Sequence, residues 1–346
     1  MTHVPALPVR RGLIFVSAAG IAWGTGGAVG DFLRRAGDLS PVAVTFWRFL
    51  IGAALLLAVT FLGRPASARR ANPLRSWRMI LALGATMAIS QVSYFAAIAE
   101  SGVALATMIT MGANPLFVAA GGRLLLGERL SRAAKAGVGA AVAGLAMLAG
   151  GPGEFSPAGV GYAVLSAAAY AAMTLLSGPA RPGRPDQPDQ PEQPDQLDQG
   201  VQEGQADRRD QLGRRDRPGQ GTPGDSVAWS FAAGAVCLLP LAMARGVLPS
   251  GGDTGAAVLS LAYLGVVPTA LAYGLFFAGL GAVSGTTAAV VALVEPLVAA
   301  LIGVLLLGEH LTALQLAGGV LLMAAVYRLA RAELTTGPAG AVDGEK

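Results

Sequence analysis

Cysteine, lysine, histidine and charge are all scarce in this chain of 346 residues. Cys237 is the only cysteine, which excludes an intrachain disulfide framework and a cysteine-based metal site. Charged residues make up 13% of the chain, whereas a soluble domain carries about 25%. The basic residues lie in short stretches between apolar runs, so the isoelectric point near 9.6 does not indicate nucleic-acid binding.

The same scarcity removes the side chains that most catalytic mechanisms need. Neither Lys135 nor Lys346 lies in a Gly-Lys-Ser/Thr phosphate-binding loop or deep inside an apolar run, which excludes a nucleotide-driven pump and a retinal Schiff base. The two histidines, His3 and His310, lie near segment ends, and no aspartate falls within a predicted apolar segment. An intramembrane protease is therefore not expected. We predict no catalytic residue, no metal and no cofactor.

Long apolar runs dominate what is present, since 53% of the residues are hydrophobic and the mean hydropathy is +0.55. A run of about 20 apolar residues matches the hydrocarbon thickness of a bilayer, where a helix satisfies its own backbone hydrogen bonds. We therefore predict an all-α polytopic protein that crosses the lipid bilayer with ten transmembrane helices. The predicted segments are 12–30, 41–62, 78–98, 102–124, 133–150, 157–178, 226–244, 256–279, 284–307 and 313–331.

The first segment follows Arg10 and Arg11, as the apolar part of a signal peptide would. It lacks a clear cleavage site and has a counterpart later in the chain, so we interpret it as a membrane helix.

Residues 179–226 differ from the rest of the chain. They begin with four successive Pro-acid-Gln units, from Pro185 to Gln196, and continue as a mixture of Arg, Asp, Gln and Gly. Because such a composition cannot bury apolar area, we predict a disordered cytoplasmic linker. An insertion without function and a docking or regulatory segment both remain open.

The distribution of basic residues predicts the orientation. Cytoplasmic loops of membrane proteins carry the excess of Lys and Arg. The opposite loops contain only Arg34, Arg35 and Arg245. We therefore expect both termini on the cytoplasmic side, an arrangement that requires an even number of crossings. The basic residues on that side are Arg10, Arg11, Arg64, Arg69, Arg70, Arg75, Arg78, Arg129, Arg132, Lys135, Arg328 and Arg331.

An internal repeat divides the chain. Residues 115–130 and 296–311 are identical at ten of sixteen positions without a gap, and residues 12–23 align more weakly with 159–170. The halves are thus 12–150 and 157–331, with the linker inserted in the second. Five crossings in each half make the two copies inverted, which is the arrangement that permits alternating access.

These stretches resemble the EamA family of the drug/metabolite transporter superfamily. The resemblance rests on Trp23-Gly24, on Arg48-Phe49, and on a doubled motif that comprises Pro115, Gly127 and Glu128 in one half and Pro296, Gly308 and Glu309 in the other. It implies gradient-driven export or uptake of small metabolites, amino acids or drugs across a bacterial inner membrane. We expect an exporter, and a proton or another ion could be coupled to the transport. A channel or a non-transporting membrane scaffold is the alternative.

Charges inside apolar segments are the candidates for chemistry, since each costs roughly 2.5–3.5 kcal/mol to insert. Glu295 could carry a proton or hold a cation, and Arg48 could bind a carboxylate or pair with Glu295; a purely structural role is the alternative for each. Other residues could line a cavity, although an aromatic residue is more often packing than a ligand contact. These are Trp23, Gln91, Tyr94, Asn114, Tyr170, Thr269 and Tyr273.

The repeated motif predicts structure rather than chemistry. Glu128 and Glu309 each follow Leu-Gly at a segment end, so we expect them to tie a helix end to a neighbouring loop. Pro115 and Pro296 are predicted helix kinks. The glycines between Gly20 and Gly30 allow close helix approach, either within the monomer or in a homodimer.

Overall fold

The computed structural model describes residues 8–62, 77–126, 132–149, 156–177, 223–250, 253–280, 282–283, 288 and 291–336. The regular elements of these ranges are helices. They are α1 (Val9–Gly37), α2 (Pro41–Leu62), α3 (Trp77–Ser101), α4 (Val103–Leu126), α5 (Arg132–Ala149), α6 (Pro157–Ser177), α7 (Pro223–Arg245), α8 (Thr254–Gly265), a π-helical turn (Val266–Leu271), α9 (Ala272–Leu280), α10 (Val294–Leu305) and α11 (Ala313–Thr336).

Seven helical stretches in the described ranges are long and apolar enough to cross a membrane. They are α1, α2, α3, α4, α6, Ser226–Arg245 of α7, and α8 to α9 taken together. Three shorter apolar helices accompany them: Ala136–Leu148, Val294–Leu305 and Ala313–Arg328. The chain is thus an all-helical polytopic membrane protein, while the count of ten crossings stays a prediction. Most of the predicted linker, with Gly127 and Glu128, lies outside the described residues.

Helix α1 is longer than its predicted segment and contains an acid that the sequence analysis placed outside. Asp31 is only 3% exposed; its Oδ1 lies 2.9 Å from Arg34 Nη2, and its Oδ2 lies 2.6 Å from Arg35 Nε. Residues three and four apart share one helix face, so the two guanidinium groups neutralise the buried carboxylate within a single helix. The prediction that no aspartate lies within a membrane segment was therefore wrong.

Helix α10 begins later than its predicted segment, 284–307. Val294 is its first residue, so Glu295 and Pro296 lie in the first turn rather than in the middle of a helix. Proline is favourable there because the first backbone N–H groups have no partner within the helix. Residues 291 and 292 are helical as well, with a turn at Leu293 between them and α10, so the kink at Pro296 stays a prediction. Pro115 does lie inside its helix, α4.

Small residues bring the helices close together. A Cβ on Gly84 of α3 would lie 2.7 Å from the backbone nitrogen of Gly234 in α7, and one on Gly144 of α5 would lie 2.8 Å from the carbonyl oxygen of Gly318 in α11. Gly24 of α1 packs equally closely against α10. This last glycine therefore serves packing inside the monomer.

Large apolar side chains cover the outside of the bundle. Leu62, Leu259 and Leu306 are each more than 70% exposed, and the remaining members of this set are spread over most of the helices. A soluble monomer rarely exposes apolar patches of such extent. The exposed leucines are instead placed to contact the hydrocarbon of the bilayer.

Candidate functional site

The guanidinium group of Arg48 is the centre of a buried hydrogen-bond network that joins three helices. Its Nη1 donates to Gln91 Oε1 at 2.7 Å, its Nε donates to Thr269 Oγ1 at 3.0 Å, and its Nη2 donates to the carbonyl oxygen of Pro268 at 3.4 Å. Arg48 is only 6% exposed. A buried arginine needs such partners to offset its desolvation. The network thus fixes α2 against α3 and the π-helical turn.

The π-helical turn exists because of Pro268 and Thr269. Proline has no N–H and disturbs the hydrogen bonds of the preceding turn. Thr269 Oγ1 donates at 2.8 Å to the carbonyl oxygen of Leu264, five residues earlier, which gives that oxygen a partner. The oxygens of Pro268 and Thr269 then both accept from Arg48. Short π-helical turns are frequent at functional sites, where they re-aim side chains.

Glu295 enters the same region from α10. Its backbone lies against α1, where a Cβ on Gly24 would stand 2.8 Å from its carbonyl oxygen. The Glu295 side chain is half-buried, and it interacts electrostatically with Arg48. Both groups also interact with Tyr94, Tyr170 and Tyr273. A carboxyl group, a guanidinium group and three phenols from different helices therefore lie within electrostatic range of one another, and we call them the charged cluster.

Aromatic rings form one wall of this cluster. Trp23 of α1 contacts Tyr273 and Phe276 of α9, with ring centroids 5.2 Å apart in both pairs. Tyr273 also meets Phe231 of α7 edge-on at 5.2 Å. Within the described residues, the buried Nε1 of Trp23 has no hydrogen-bond partner. This aromatic wall therefore presents apolar ring faces and the N–H donor of Trp23.

Two further predicted residues lie on α3 and α4. The Tyr94 hydroxyl hydrogen-bonds Thr107 Oγ1 at 2.7 Å, which joins the two helices. Asn114 directly precedes Pro115 on α4, and its buried Oδ1 has no hydrogen-bond partner in the described part of the chain. Hydrogen bonds thus connect Arg48 with Gln91 and Thr269, and a ring contact connects Trp23 with Tyr273. Electrostatic interactions relate Tyr94, Tyr170, Tyr273 and Glu295 to Arg48.

Glu309 contacts the end of a neighbouring helix and also lines a cavity. Its carboxylate accepts hydrogen bonds from the backbone N–H groups of Val103 and Ala104, the first residues of α4. A carboxylate at this place satisfies orphan donors and complements the helix dipole. Gly102 and Gly303 flank it, and a Cβ on either would fall within 3.0 Å of Glu309. These contacts support a structural role for the residue.

A cavity of about 550 Å³ lies at the same end of the bundle as Glu309. Arg34, Arg35, Glu100 and His310 line it together with residues of the α3–α4 junction. Arg34 and Arg35 lie in the last turn of α1, the end that the charge distribution predicts to be on the outer side. The sequence analysis missed this cavity, because the residues that form it are dispersed over three distant stretches.

Several residues that support the cluster were not predicted from the sequence. Phe231, and Phe276 of the Phe276-Phe277 pair, are aromatic residues in apolar runs, and no sequence signal separates them from packing residues. Ser90 and Ser166 exchange hydrogen bonds between α3 and α6, each hydroxyl donating to the other's carbonyl oxygen. Pro268 did carry a signal, since a proline inside a long apolar run frees backbone carbonyls.

The fold and the cluster define a class: a polytopic helical membrane protein in which opposite charges and aromatic rings meet between helices. Comparison with known proteins then identifies the family. The model of the EamA-like transporter family matches residues 10–150 and 219–331. The chain belongs to the EamA-like transporter family, which confirms the resemblance found in its sequence.

Individual relatives agree with this assignment. The chain is 25% identical over 316 residues to the "Uncharacterized transporter YwfM" of Bacillus subtilis (strain 168), covering 90% of each chain. It is 46% identical over 70 residues to a "Probable amino-acid metabolite efflux pump" of Salmonella typhimurium, covering 20% of this chain and 23% of that one. A crystal structure that is 20% identical superposes with a TM-score of 0.54, covering 93% and 98% of the two chains; it shows the fold alone.

Proposed function

We propose that this protein is a secondary transporter that exports small amino-acid-like metabolites across the bacterial inner membrane by alternating access. The observation that carries the proposal is the placement of Arg48 and Glu295 in one half-buried cluster beside an aromatic wall. A zwitterion places its carboxylate near an arginine and its ammonium near a glutamate. The short match to a relative named as an amino-acid metabolite efflux pump supports this substrate class.

The internal repeat supports the mechanism. Two copies of a five-helix unit in opposite orientation let one backbone design form an outward-open and an inward-open half. The family match in two stretches, interrupted between residues 150 and 219, agrees with two units. We propose ten crossings, with the shorter α5, α10 and α11 included, both termini in the cytoplasm, and Glu309 at the outer face.

Counterflow in proteoliposomes tests the transport activity. Vesicles that contain the protein and unlabelled L-phenylalanine should transiently accumulate the labelled compound above its external concentration. A carrier shows this exchange because its loaded form returns, whereas a channel does not. Saturable counterflow supports the proposal. Downhill flux without counterflow would favour a channel, and the absence of flux for all twenty amino acids would reject this substrate class.

Glu295→Gln tests the role of the carboxyl. The substitution keeps the shape and some hydrogen bonding but removes the titratable charge. We expect the variant to insert normally and to lose transport or its pH dependence. Glu309→Gln is the matched control, because it removes a carboxyl at the end of the bundle. Unchanged transport and pH dependence in Glu295→Gln would show that Glu295 is structural.

Orientation has its own test. Cysteine at Asp253, an exposed residue before α8, should react in intact cells with a membrane-impermeant maleimide. Cysteine at Gln205, in the 179–226 stretch, should react only after the cells are opened. The native Cys237 is replaced by serine first, since its side chain is exposed. The reverse labelling pattern would invert the assignment.

A further inference from the structure

Asn114 and Glu295 hold equivalent positions in the two halves of the chain. In the ungapped match of residues 115–130 with 296–311, Pro115 corresponds to Pro296, so the preceding residues correspond as well. One half presents a carboxamide before its proline and the other presents a carboxylate. The two side chains are similar in their oxygen acceptor and differ in charge. Such a pair can bind one ligand, with one residue contributed by each half of the chain.

The two residues also lie at the same depth in the bundle. The N-terminal end of α4 meets the C-terminal end of α10, where a Cβ on Gly303 would stand 3.2 Å from Ala104 Cβ, so the helices are antiparallel. Asn114 lies ten residues beyond Ala104, and Glu295 lies eight residues before Gly303. At a rise of 1.5 Å per residue, the two positions differ by only about 3 Å in depth.

The face of α4 on which Asn114 lies is also known. Asn114 follows Thr107 by seven residues, which is close to two full helical turns, so both lie on the same face. Thr107 Oγ1 meets the hydroxyl of Tyr94. Tyr94 interacts electrostatically with both Glu295 and Arg48. Asn114 therefore lies on the face of α4 that is directed toward the charged cluster.

The amide oxygen of Asn114 is buried and has no hydrogen-bond partner among the described residues. A buried acceptor without a partner is destabilising, because it has lost its hydrogen bonds to water. Thr110, one turn earlier on α4, has no such deficit, since its hydroxyl donates to the carbonyl oxygen of Ala163. The cost at Asn114 is offset if the transported molecule supplies the missing donor.

We infer that Asn114 is a specificity-determining residue of the proposed site, whose Oδ1 accepts a hydrogen bond from the ammonium group that Glu295 holds as its counter-charge. This inference rests on the proposed transport function. It defines the ligand's cationic group as one with at least two N–H donors, one for each half of the protein. A primary ammonium meets this requirement, and a trimethylammonium group does not.

Substitutions at Asn114 test the inference through selectivity. The probes are L-phenylalanine and its N,N,N-trimethyl derivative, which carries the same charge without an N–H. Counterflow competition gives the apparent affinity of each probe. We expect the wild-type protein to prefer the primary ammonium by about tenfold or more, because a site built for a donor rejects an analogue that lacks it. In Asn114→Leu, the affinity for L-phenylalanine should fall about tenfold while that for the trimethyl derivative stays unchanged.

A second variant and a control separate recognition from misfolding. Asn114→Asp restores an acceptor and should keep the preference for the primary ammonium. Thr110→Val removes a neighbouring hydroxyl that already has a partner, and it should leave the ratio of the two affinities unchanged. An unchanged ratio in Asn114→Leu, with normal wild-type counterflow, would overturn the inference and leave the transport function standing. Lack of wild-type counterflow with any amino acid would reject both.

Discussion

Helix α3 and the α8–α9 stretch occupy equivalent places in the two halves of the sequence but differ in shape. Gly84 precedes Gly265, and Phe95 precedes Phe276, by the same number of residues as Pro115 precedes Pro296. Helix α3 continues without interruption over 25 residues. Its counterpart is divided by a six-residue π-helical turn. One backbone design has therefore been kept straight in one half and broken in the other.

The break is where Arg48 is anchored. Pro268 and Thr269 stand where α3 has Met87 and Ala88, and these two are buried apolar residues. The straight helix contributes Gln91 as a third partner of Arg48. The shared scaffold thus positions the helices, while the chemistry of the cluster arises where the two copies differ. Substitutions on both helices test how much this difference matters.

The largest effect is expected at Arg48. Arg48→Met should abolish transport, because it removes the charge and leaves the oxygens of Gln91 and Pro268 without their donor. Arg48→Lys keeps the charge but cannot reach all three acceptors. At about 1.5–3 kcal/mol for a hydrogen bond to a charged group, it should lower the transport rate about tenfold or more. Initial rates in proteoliposomes measure both variants, and full activity in Arg48→Lys would show that geometry is unimportant.

The next largest effect concerns helix packing. A Cβ on Gly24 of α1 would stand 2.7 Å from Val298 Cβ, whereas one on Gly161 of α6 would meet nothing within 4 Å. Gly24→Ala should lower the stability by about 1–3 kcal/mol, since overpacking forces helices apart. Gly161→Ala is the control and should be neutral or slightly stabilising. Thermal unfolding in detergent measures the pair. Equal melting temperatures would show that α1 is not tightly packed.

A smaller effect is expected at Thr269. Thr269→Val removes the hydroxyl that both donates to Leu264 and accepts from Arg48. The loss of the hydrogen bond from Arg48, at about 1.5 kcal/mol, should lower transport roughly tenfold, and the loss of the bond to Leu264 should weaken the π-helical turn. Thr86→Val on the straight helix is the control, because Thr86 bonds only to carbonyl oxygens of its own helix. Similar losses in both variants would argue against a special role for the break.

The smallest effect is expected at Glu309. Glu309→Gln keeps an oxygen acceptor for the N-terminal N–H groups of α4 but removes the charge that complements the helix dipole. The melting temperature should fall by an amount that corresponds to about 0.5–1 kcal/mol, with transport reduced less than in any variant of Arg48. Glu309→Ala removes the acceptor altogether and should cost about 0.5–2 kcal/mol. Unfolding that is insensitive to both changes would remove the capping role.

What the sequence could predict follows from the physics of each feature. Apolar runs of membrane length predicted the helices, and Arg48 and Glu295 were recognisable because a charge in such a run is costly. Asp31 was missed because it lay one residue beyond an assigned boundary, and the neutralising arginines follow it on the same face. The partner of Glu309 was not predictable, because it is the backbone of a helix end about 200 residues away, which has no sequence signature.

The π-helical turn also determines which face of α9 is directed toward Trp23. An α-helix advances about 100° per residue, and a π-helical turn accommodates about one residue more than an α-helical turn. The faces of α8 and α9 are therefore offset, and Trp23 meets Tyr273 and Phe276 with that offset in place. If the same residues formed a continuous α-helix, α9 would be turned by about 100° relative to α8, whereas deleting Val267 would restore a continuous helix with α9 near its present orientation. The length of the π-helical turn, which binds Arg48 and precedes α9, thus determines which residues of α9 face Trp23.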